Sequence, residues 1–134
     1  MKNPWLFLIN RAKGNARPGY IKLNGIKRDY YLEVTITERD LIQIYKNQNG
    51  KCYWSGYPLN PNDVFKARCP WAMSLDRLDD KKGYVPGNVV LTTRAENLGR
   101  KDTSLKDYQK YVDTRNKYFL NEISPPKLTF DNEL

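Results

Sequence analysis

The stretch that decides the fold covers residues 73–101 and reads MSLDRLDDKKGYVPGNVVLTTRAENLGRK. A short apolar strand ends near Asp76, a polar turn follows, and a second strand opens after Asn88. Residues 93–96 (TRAE) have the pattern of a capping box, so a helix should begin there and carry Asn97 in its first full turn. This order of strand, turn, strand and helix can bring a strand-end carboxylate and a helix-borne amide together around one divalent cation.

Several short motifs follow one another in order along residues 50–101. They are Gly50-Lys51-Cys52 with Ser55-Gly56, Ser74-Leu75-Asp76-Arg77-Leu78-Asp79, Gly83-Tyr84-Val85 with Gly87-Asn88-Val89, and Glu96-Asn97-Leu98 with Lys101. This ordered set resembles the HNH endonucleases, also called ββα-metal nucleases, of the small phage and bacterial type. The resemblance implies an α+β fold, with a ββα-metal motif at about residues 71–101 flanked by helices. It also implies metal-dependent hydrolysis of phosphodiester bonds.

The resemblance also implies a role for individual residues. Asp76 matches the strand-end metal ligand, and Asn97 matches the metal ligand on the helix. Asn88 matches the Asn that braces the intervening loop through backbone hydrogen bonds. Arg77 stands where the family normally has the histidine that acts as general base, and Tyr84 lies nearby in the sequence.

The chemistry of these side chains supports an oxygen-ligated cation. A carboxylate and an amide oxygen are hard ligands, which suit one Mg²⁺ or Mn²⁺ ion that keeps several waters. The chain has no histidine and only two cysteines, Cys52 and Cys69. Because a closed structural zinc site needs four such ligands, we expect no structural zinc and two buried free thiols.

Proton transfer is the step that departs from the family pattern. Arg77 carries donors only and stays charged, so it cannot be the base, and we expect it to face the scissile phosphate and stabilise developing charge. Water activation is then left to Tyr84, to Asp79 or Asp80, to a metal-bound hydroxide or to the substrate phosphate. Tyr84 ranks first among the side chains, although packing of the loop is the stronger interpretation of this residue.

The charge balance indicates a polyanionic partner. The 134 residues hold 23 Lys and Arg against 15 Asp and Glu, which gives a net charge of +8 and a pI near 9.5. A domain this basic favours double-stranded DNA, although the charge also serves solubility. We expect the following residues to hold phosphates: Arg11, Lys13, Arg17, Lys27, Arg28, Arg94, Arg100 and Lys101. No apolar run is long enough to cross a membrane, and we expect a cytoplasmic protein, in the host cell if the source is a phage.

Flanking elements complete one expected domain over residues 1–134. Asn3-Pro4 should begin a helix that ends by Arg17, where Arg11, Lys13 and Arg17 would also complement the helix C-terminus. Asn24-Gly25 predicts a β-hairpin. A capping box that opens at Thr37 predicts a second helix, and a last helix should run from about 104 to 121.

Two functions follow from these observations. The first is a metal-dependent DNA endonuclease, which would act as a homodimer if it cuts both strands. The second is a catalytically degenerate HNH fold that binds DNA without cutting it. An RNA-directed protein ranks last, because no RNA-binding signature accompanies the many tyrosines.

Overall fold

The computed structural model describes residues 2–19, 28–101 and 103–119, and the described chain has an α+β fold. Within these ranges the helices and strands are α1 (Pro4–Asn15), α2 (Glu38–Asn47), β1 (Met73–Arg77), β2 (Val89–Thr93), α3 (Arg94–Arg100) and α4 (Leu105–Phe119). A 3-10 helix at Pro61–Phe65 precedes β1. The predicted β-hairpin around Asn24-Gly25 falls largely on residues outside the described ranges.

The two strands form an antiparallel hairpin that continues directly into α3. Met73 lies opposite Thr93, and Arg77 lies opposite Val89. Every residue of β2 is buried, whereas Ser74 and Arg77 of β1 are partly exposed. The predicted order of strand, strand and helix is therefore confirmed, and α3 begins with the Glu96 N–H donating to Thr93 Oγ1 at 3.2 Å.

The predicted helix starts of α1 and α2 are also confirmed. The Asn3 side chain accepts hydrogen bonds from N–H groups in the first turn of α1. These N–H groups have no acceptor within the helix itself. At α2, Thr37 accepts from the Asp40 N–H, and the Asp40 carboxylate accepts from the Thr37 N–H, which is a complete capping box. Asn49 and Gly50 then adopt positive φ angles and turn the chain out of the helix.

The core lies between the hairpin, α1, α2 and the 3-10 helix. Its most deeply buried apolar side chains are Leu41, Val64, Ala72, Met73 and Leu91. Aromatic rings close its edge, with Phe7 and Phe65 in edge-to-face contact at 5.4 Å between centroids. α1, the 3-10 helix and α3 all contact β1, and α2 and α3 contact β2.

Residues 50–59 form a loop. Only one isolated bridge, between Lys51 and Pro58, is present there. The Tyr53 N–H donates to the Leu91 carbonyl at 2.9 Å, which attaches the loop to β2. Trp54 is buried as a result, beside the end of β1.

The polar turn between the strands is pressed against an extended segment of the chain. The Tyr84 N–H donates to the Glu33 carbonyl at 2.8 Å, and the Tyr84 carbonyl accepts from the Thr35 N–H at 3.0 Å. A Cβ on Gly83 would lie 2.1 Å from the Glu33 oxygen. Glycine is therefore required at position 83 for this close backbone approach.

The chain divides into two compact units, Met1–Thr103 and Ser104–Leu134. The first contains every described element except α4. In the second, Ser104 caps α4 by accepting a hydrogen bond from the Asp107 N–H at 3.1 Å, as its sequence predicts. Within the described residues, no helix has the length and apolar character needed to span a membrane.

Candidate metal and nucleic-acid site

Asp76 is a buried residue of β1, and both of its carboxylate oxygens accept hydrogen bonds. Oδ2 accepts from the Trp54 indole Nε1–H at 2.9 Å, and Oδ1 accepts from Arg100 Nη1 in an ion pair. The residue is only 3% exposed. Burial raises the pKa of Asp76 above its ordinary value, while the Trp54 hydrogen bond and the Arg100 charge oppose that rise.

Arg100 is the cation that the structure places on Asp76. Its Nη1 also donates to the Arg77 carbonyl at 2.9 Å, and its Nη2 donates to the Leu78 carbonyl at 3.0 Å. The guanidinium carbon lies 5.7 Å from the centroid of the Trp54 ring. Arg100 is 1% exposed, so the expectation that it holds a DNA phosphate is corrected: its donors are used inside the protein.

Asn97 lies one helical turn before Arg100 and faces the same strand. Its Nδ2 donates to Ser74 Oγ at 2.8 Å and to the Leu75 carbonyl at 3.2 Å. Ser74 and Asp76 share one face of β1 because side chains alternate along a strand. Asn97 and Arg100 share one face of α3 because residues three apart are neighbours on a helix. The fold therefore brings Asp76 and Asn97 to one strand–helix junction.

Asn88 makes the loop-bracing contacts that the resemblance implies. Its Oδ1 accepts from the Asp79 N–H at 2.9 Å, and its Nδ2 donates to the carbonyls of Asp79 at 3.1 Å and Gly83 at 2.9 Å. The Asn88 carbonyl also accepts from the Leu78 N–H at 2.9 Å. A single buried side chain thus joins both ends of the turn that follows β1.

Arg77 holds the loop that follows β1, and the expectation that it faces the scissile phosphate stays a prediction. Its Nη1 donates to the carbonyls of Asp80 at 2.6 Å and Lys82 at 2.9 Å. Its guanidinium carbon lies 5.3 Å from the centroid of the Tyr84 ring. Because adjacent side chains of a strand lie on opposite faces, Arg77 and Asp76 leave β1 on different sides.

The remaining candidates for proton transfer are also held by the loop. Tyr84 is 7% exposed and lies under the Arg77 guanidinium, which agrees with the packing interpretation rather than with a base open to water. Asp79 uses its Oδ1 to accept a hydrogen bond from the Lys81 N–H at 2.9 Å. Asp80 is partly exposed on the same turn.

The basic residues that were expected to bind phosphate fall into two groups. Arg28 is 5% exposed, and its Nη2 donates to the carbonyls of Asn15 and Arg17, so its expected role is also corrected. Arg94 is partly buried and donates to the carbonyls of Val64 and Lys66. Burial lowers the pKa of Arg94, and the nearby charge of Arg11 lowers it further.

The second group of expected phosphate-binding residues is exposed: Arg11, Lys13, Arg17 and Lys101. Lys27 lies outside the described residues.

The donor chemistry of the junction fits a hard cation, and Arg100 competes for it. Asp76 and the Asn97 amide oxygen offer oxygen ligands, and an ionised carboxylate has more lone-pair positions than its two present donors use. No cluster of three or more His, Cys, Asp or Glu side chains occurs within residues 2–19, 28–101 and 103–119. Cys52 and Cys69 are buried free thiols, as predicted.

The sequence did not predict that Trp54 and Arg100 contact Asp76, although Arg100 was named as a phosphate-binding residue. A usable signal for Arg100 was its spacing of three residues from Asn97, which places both side chains on one helix face. Trp54 carries no comparable signal, because its contact with Asp76 spans 22 positions.

Comparisons with protein families, with curated proteins and with solved structures found no match for this chain.

Proposed function

We propose that the protein is a divalent-metal-dependent DNA endonuclease of the HNH type. The observation that carries the proposal is the contact of Asn97 with Ser74 and the Leu75 carbonyl, which sets it against β1 next to Asp76 and beside a loop braced by Asn88. These side chains come from positions that a β-hairpin and a following helix bring together. One carboxylate and one amide oxygen leave most of a cation's coordination shell to water and substrate.

Asp76 and Asn97 would hold the cation, which would polarise a phosphoryl oxygen and stabilise the leaving alkoxide. The other residues act by keeping this junction in place. Asn88 holds the loop next to the strand end, and Arg77 ties the far side of that loop through two carbonyls. Because Arg77 is no base and Tyr84 is buried beneath it, Asp79, Asp80 or the substrate phosphate would accept the proton of the attacking water.

DNA would be held by exposed basic side chains outside the junction. Arg11, Lys13 and Arg17 are exposed on and just after α1, and Lys101 is exposed immediately after α3. Together with a net charge of +8, they supply sequence-independent attraction to phosphates. Arg28 and Arg100 are left out of this set, because their guanidinium groups are buried.

One observation favours the second candidate, a DNA-binding module without catalysis. Both Asp76 oxygens already have partners, and one of these partners is a buried positive charge. An ion pair can replace the charge balance that a metal would otherwise provide. In that case DNA binding would persist while no divalent cation supported cleavage.

Supercoiled plasmid incubated with Mg²⁺ or Mn²⁺ tests the proposal. We expect nicked or linear products with the wild type, strong loss of cleavage in Asp76→Asn and Asn97→Ala, and full activity in Asp29→Asn. Asp29 is an exposed carboxylate far from the junction in sequence, so the last variant removes the same charge as a control. Thermal unfolding of each variant shows whether it is folded. A folded wild type that cuts in neither metal, or a fully active Asp76→Asn, would refute the proposal.

A further inference from the structure

Arg100 occupies a position that has the character of a cation site. Three oxygen atoms surround its guanidinium, namely Asp76 Oδ1 and the carbonyls of Arg77 and Leu78. A carboxylate and two carbonyls form the kind of oxygen set that hard cations also use. Arg100 thus satisfies at the strand end the acceptors that would otherwise attract a metal ion.

The charged groups of Asp76 and Arg100 are almost fully buried. Asp76 is 3% exposed and Arg100 is 1% exposed, so neither charge is stabilised by bulk water. A buried charge is tolerated only when it is paired, and each of these two residues provides that pairing for the other. The pairing is incomplete at Arg100, because its Nε has no hydrogen-bond partner among the described residues.

Release of Arg100 is compatible with the local backbone. Arg100 is the last residue of α3, and Lys101 after it adopts a φ of 49° that ends the helix. The side chain is therefore attached at a helix terminus, where local opening disrupts fewer hydrogen bonds than in a helix interior. Asn97 lies a turn earlier and keeps its own contacts to β1.

We propose that Arg100 is an internal counter-cation of the junction, which must leave Asp76 before a divalent cation binds there. This inference rests on the proposed metal site at Asp76 and Asn97, and it adds a regulation of that site by a residue of the chain itself. In the metal-free protein, Arg100 takes up one oxygen of the Asp76 carboxylate. Metal affinity is then set by the difference between the two cations in their attraction for the same carboxylate.

Direct titration with Mn²⁺, without DNA, tests the competition. We expect Arg100→Gln to bind Mn²⁺ at least about tenfold more tightly than the wild type, because a neutral side chain removes like-charge repulsion at close range. Arg100→Lys keeps the charge and should stay near the wild type, and Asp76→Asn should lose the site. A folded Arg100→Gln that binds Mn²⁺ no more tightly than the wild type would overturn the inference.

A second readout uses the wild type alone, in case Arg100→Gln does not fold. In ¹⁵N-labelled protein, saturating Mg²⁺ should shift the Trp54 indole N–H signal and abolish the slow exchange of the Arg100 side-chain N–H groups with water. Trp54→Phe assigns the indole signal among the three tryptophans. Retention of slow Arg100 exchange in the Mg²⁺-bound protein, or no response of Trp54 to Mg²⁺, would contradict the competition.

The two proposals fail in different ways. If the Mn²⁺ affinities follow the expected order and no variant cuts DNA, the endonuclease is wrong and the counter-cation stands. If the wild type cuts DNA and the affinities do not follow that order, the endonuclease stands and the counter-cation is wrong.

Discussion

Asp76 and Arg100 form an ion pair across the junction of β1 and α3, although 24 positions separate them in the chain. Both side chains are almost fully buried, and Trp54 donates to the second oxygen of the same carboxylate. Three segments are therefore joined at one charged group: the loop at 50–59, the strand and the helix. This arrangement makes Asp76 both a candidate metal ligand and a structural centre.

Removing one partner of this pair should destabilise the fold strongly. We expect Arg100→Ala to lower the free energy of unfolding by about 3–5 kcal/mol, because it leaves a buried carboxylate without its counter-charge. Replacing both residues, with Asp76→Asn and Arg100→Gln, should cost clearly less than the sum of the two single changes. Urea unfolding is measured for the wild type, Arg100→Ala, the single variants Asp76→Asn and Arg100→Gln, and their double variant. Lys46→Ala, at an exposed lysine of α2, is the control and should shift the midpoint little.

Asn88 should be important for the order of the loop between the strands. Asn88→Ala removes three side-chain hydrogen bonds and leaves buried backbone groups without partners, so we expect a loss of about 2–3 kcal/mol. Amide hydrogen exchange should accelerate most at Asp79, whose N–H loses its acceptor. The matched control is Asn47→Ala, at an exposed residue with one side-chain bond to Gln43. Equal effects of the two substitutions would contradict the bracing role.

Two glycine substitutions should have opposite signs. Gly83→Ala places a Cβ 2.1 Å from the Glu33 carbonyl oxygen, so the turn must move and stability should fall by more than about 2 kcal/mol. Gly14→Ala lies in α1 with no atom within 4 Å of the new Cβ, and should stabilise the protein by about 0.5–1 kcal/mol. Thermal unfolding of both variants checks the pair. A tolerated Gly83→Ala would mean that the turn does not approach Glu33 so closely.

Substitution of Arg77 distinguishes a role in holding the loop from a direct role at the phosphate. Because its guanidinium bonds to the carbonyls of Asp80 and Lys82, we expect Arg77→Ala to cost about 1–2 kcal/mol and to speed amide exchange in the turn. Loss of cleavage should accompany this loosening. If cleavage is lost while stability and exchange stay unchanged, Arg77 acts on the substrate after all.

DNA affinity should distinguish the exposed from the buried arginines. We expect Arg11→Ala and Arg17→Ala to weaken DNA binding and each to reduce the slope of log K against log salt by about 1. Arg28→Ala should lower stability instead, because Arg28 bonds to the carbonyls of Asn15 and Arg17. Binding isotherms at several salt concentrations, with unfolding curves, measure both effects. An unchanged salt slope in Arg11→Ala and Arg17→Ala would exclude these residues as phosphate contacts.

Local patterns in the sequence were sufficient to predict the helices and strands. The caps at Asn3, Thr37 and Ser104 are satisfied by groups within four positions, so they can be recognised in a short window. The order of strand, turn, strand and helix also follows from local apolar runs and turn residues. The bonds of Asn88 are likewise of short range, since they span nine positions or fewer.

The orientation of side chains at the junction depended on the assembled fold. Asp76 and Arg77 are adjacent in the chain, and the period of the strand sends them to opposite faces, which removes Arg77 from the side of Asp76. The partners of Asp76 come from a loop 22 positions before it and a helix end 24 positions after it. No local pattern specifies such contacts.

By itself, the sequence determined the α+β elements, their caps and the basic charge. It also determined that Asp76, Asn88 and Asn97 belong to one hairpin and the helix that follows it. Only the tertiary structure decided that Arg100 pairs with Asp76, and that the Arg28 guanidinium is buried against backbone carbonyls. The physical reason is that helix and strand formation depends on neighbouring residues, whereas the pairing of buried charges depends on which distant segments exclude water around them.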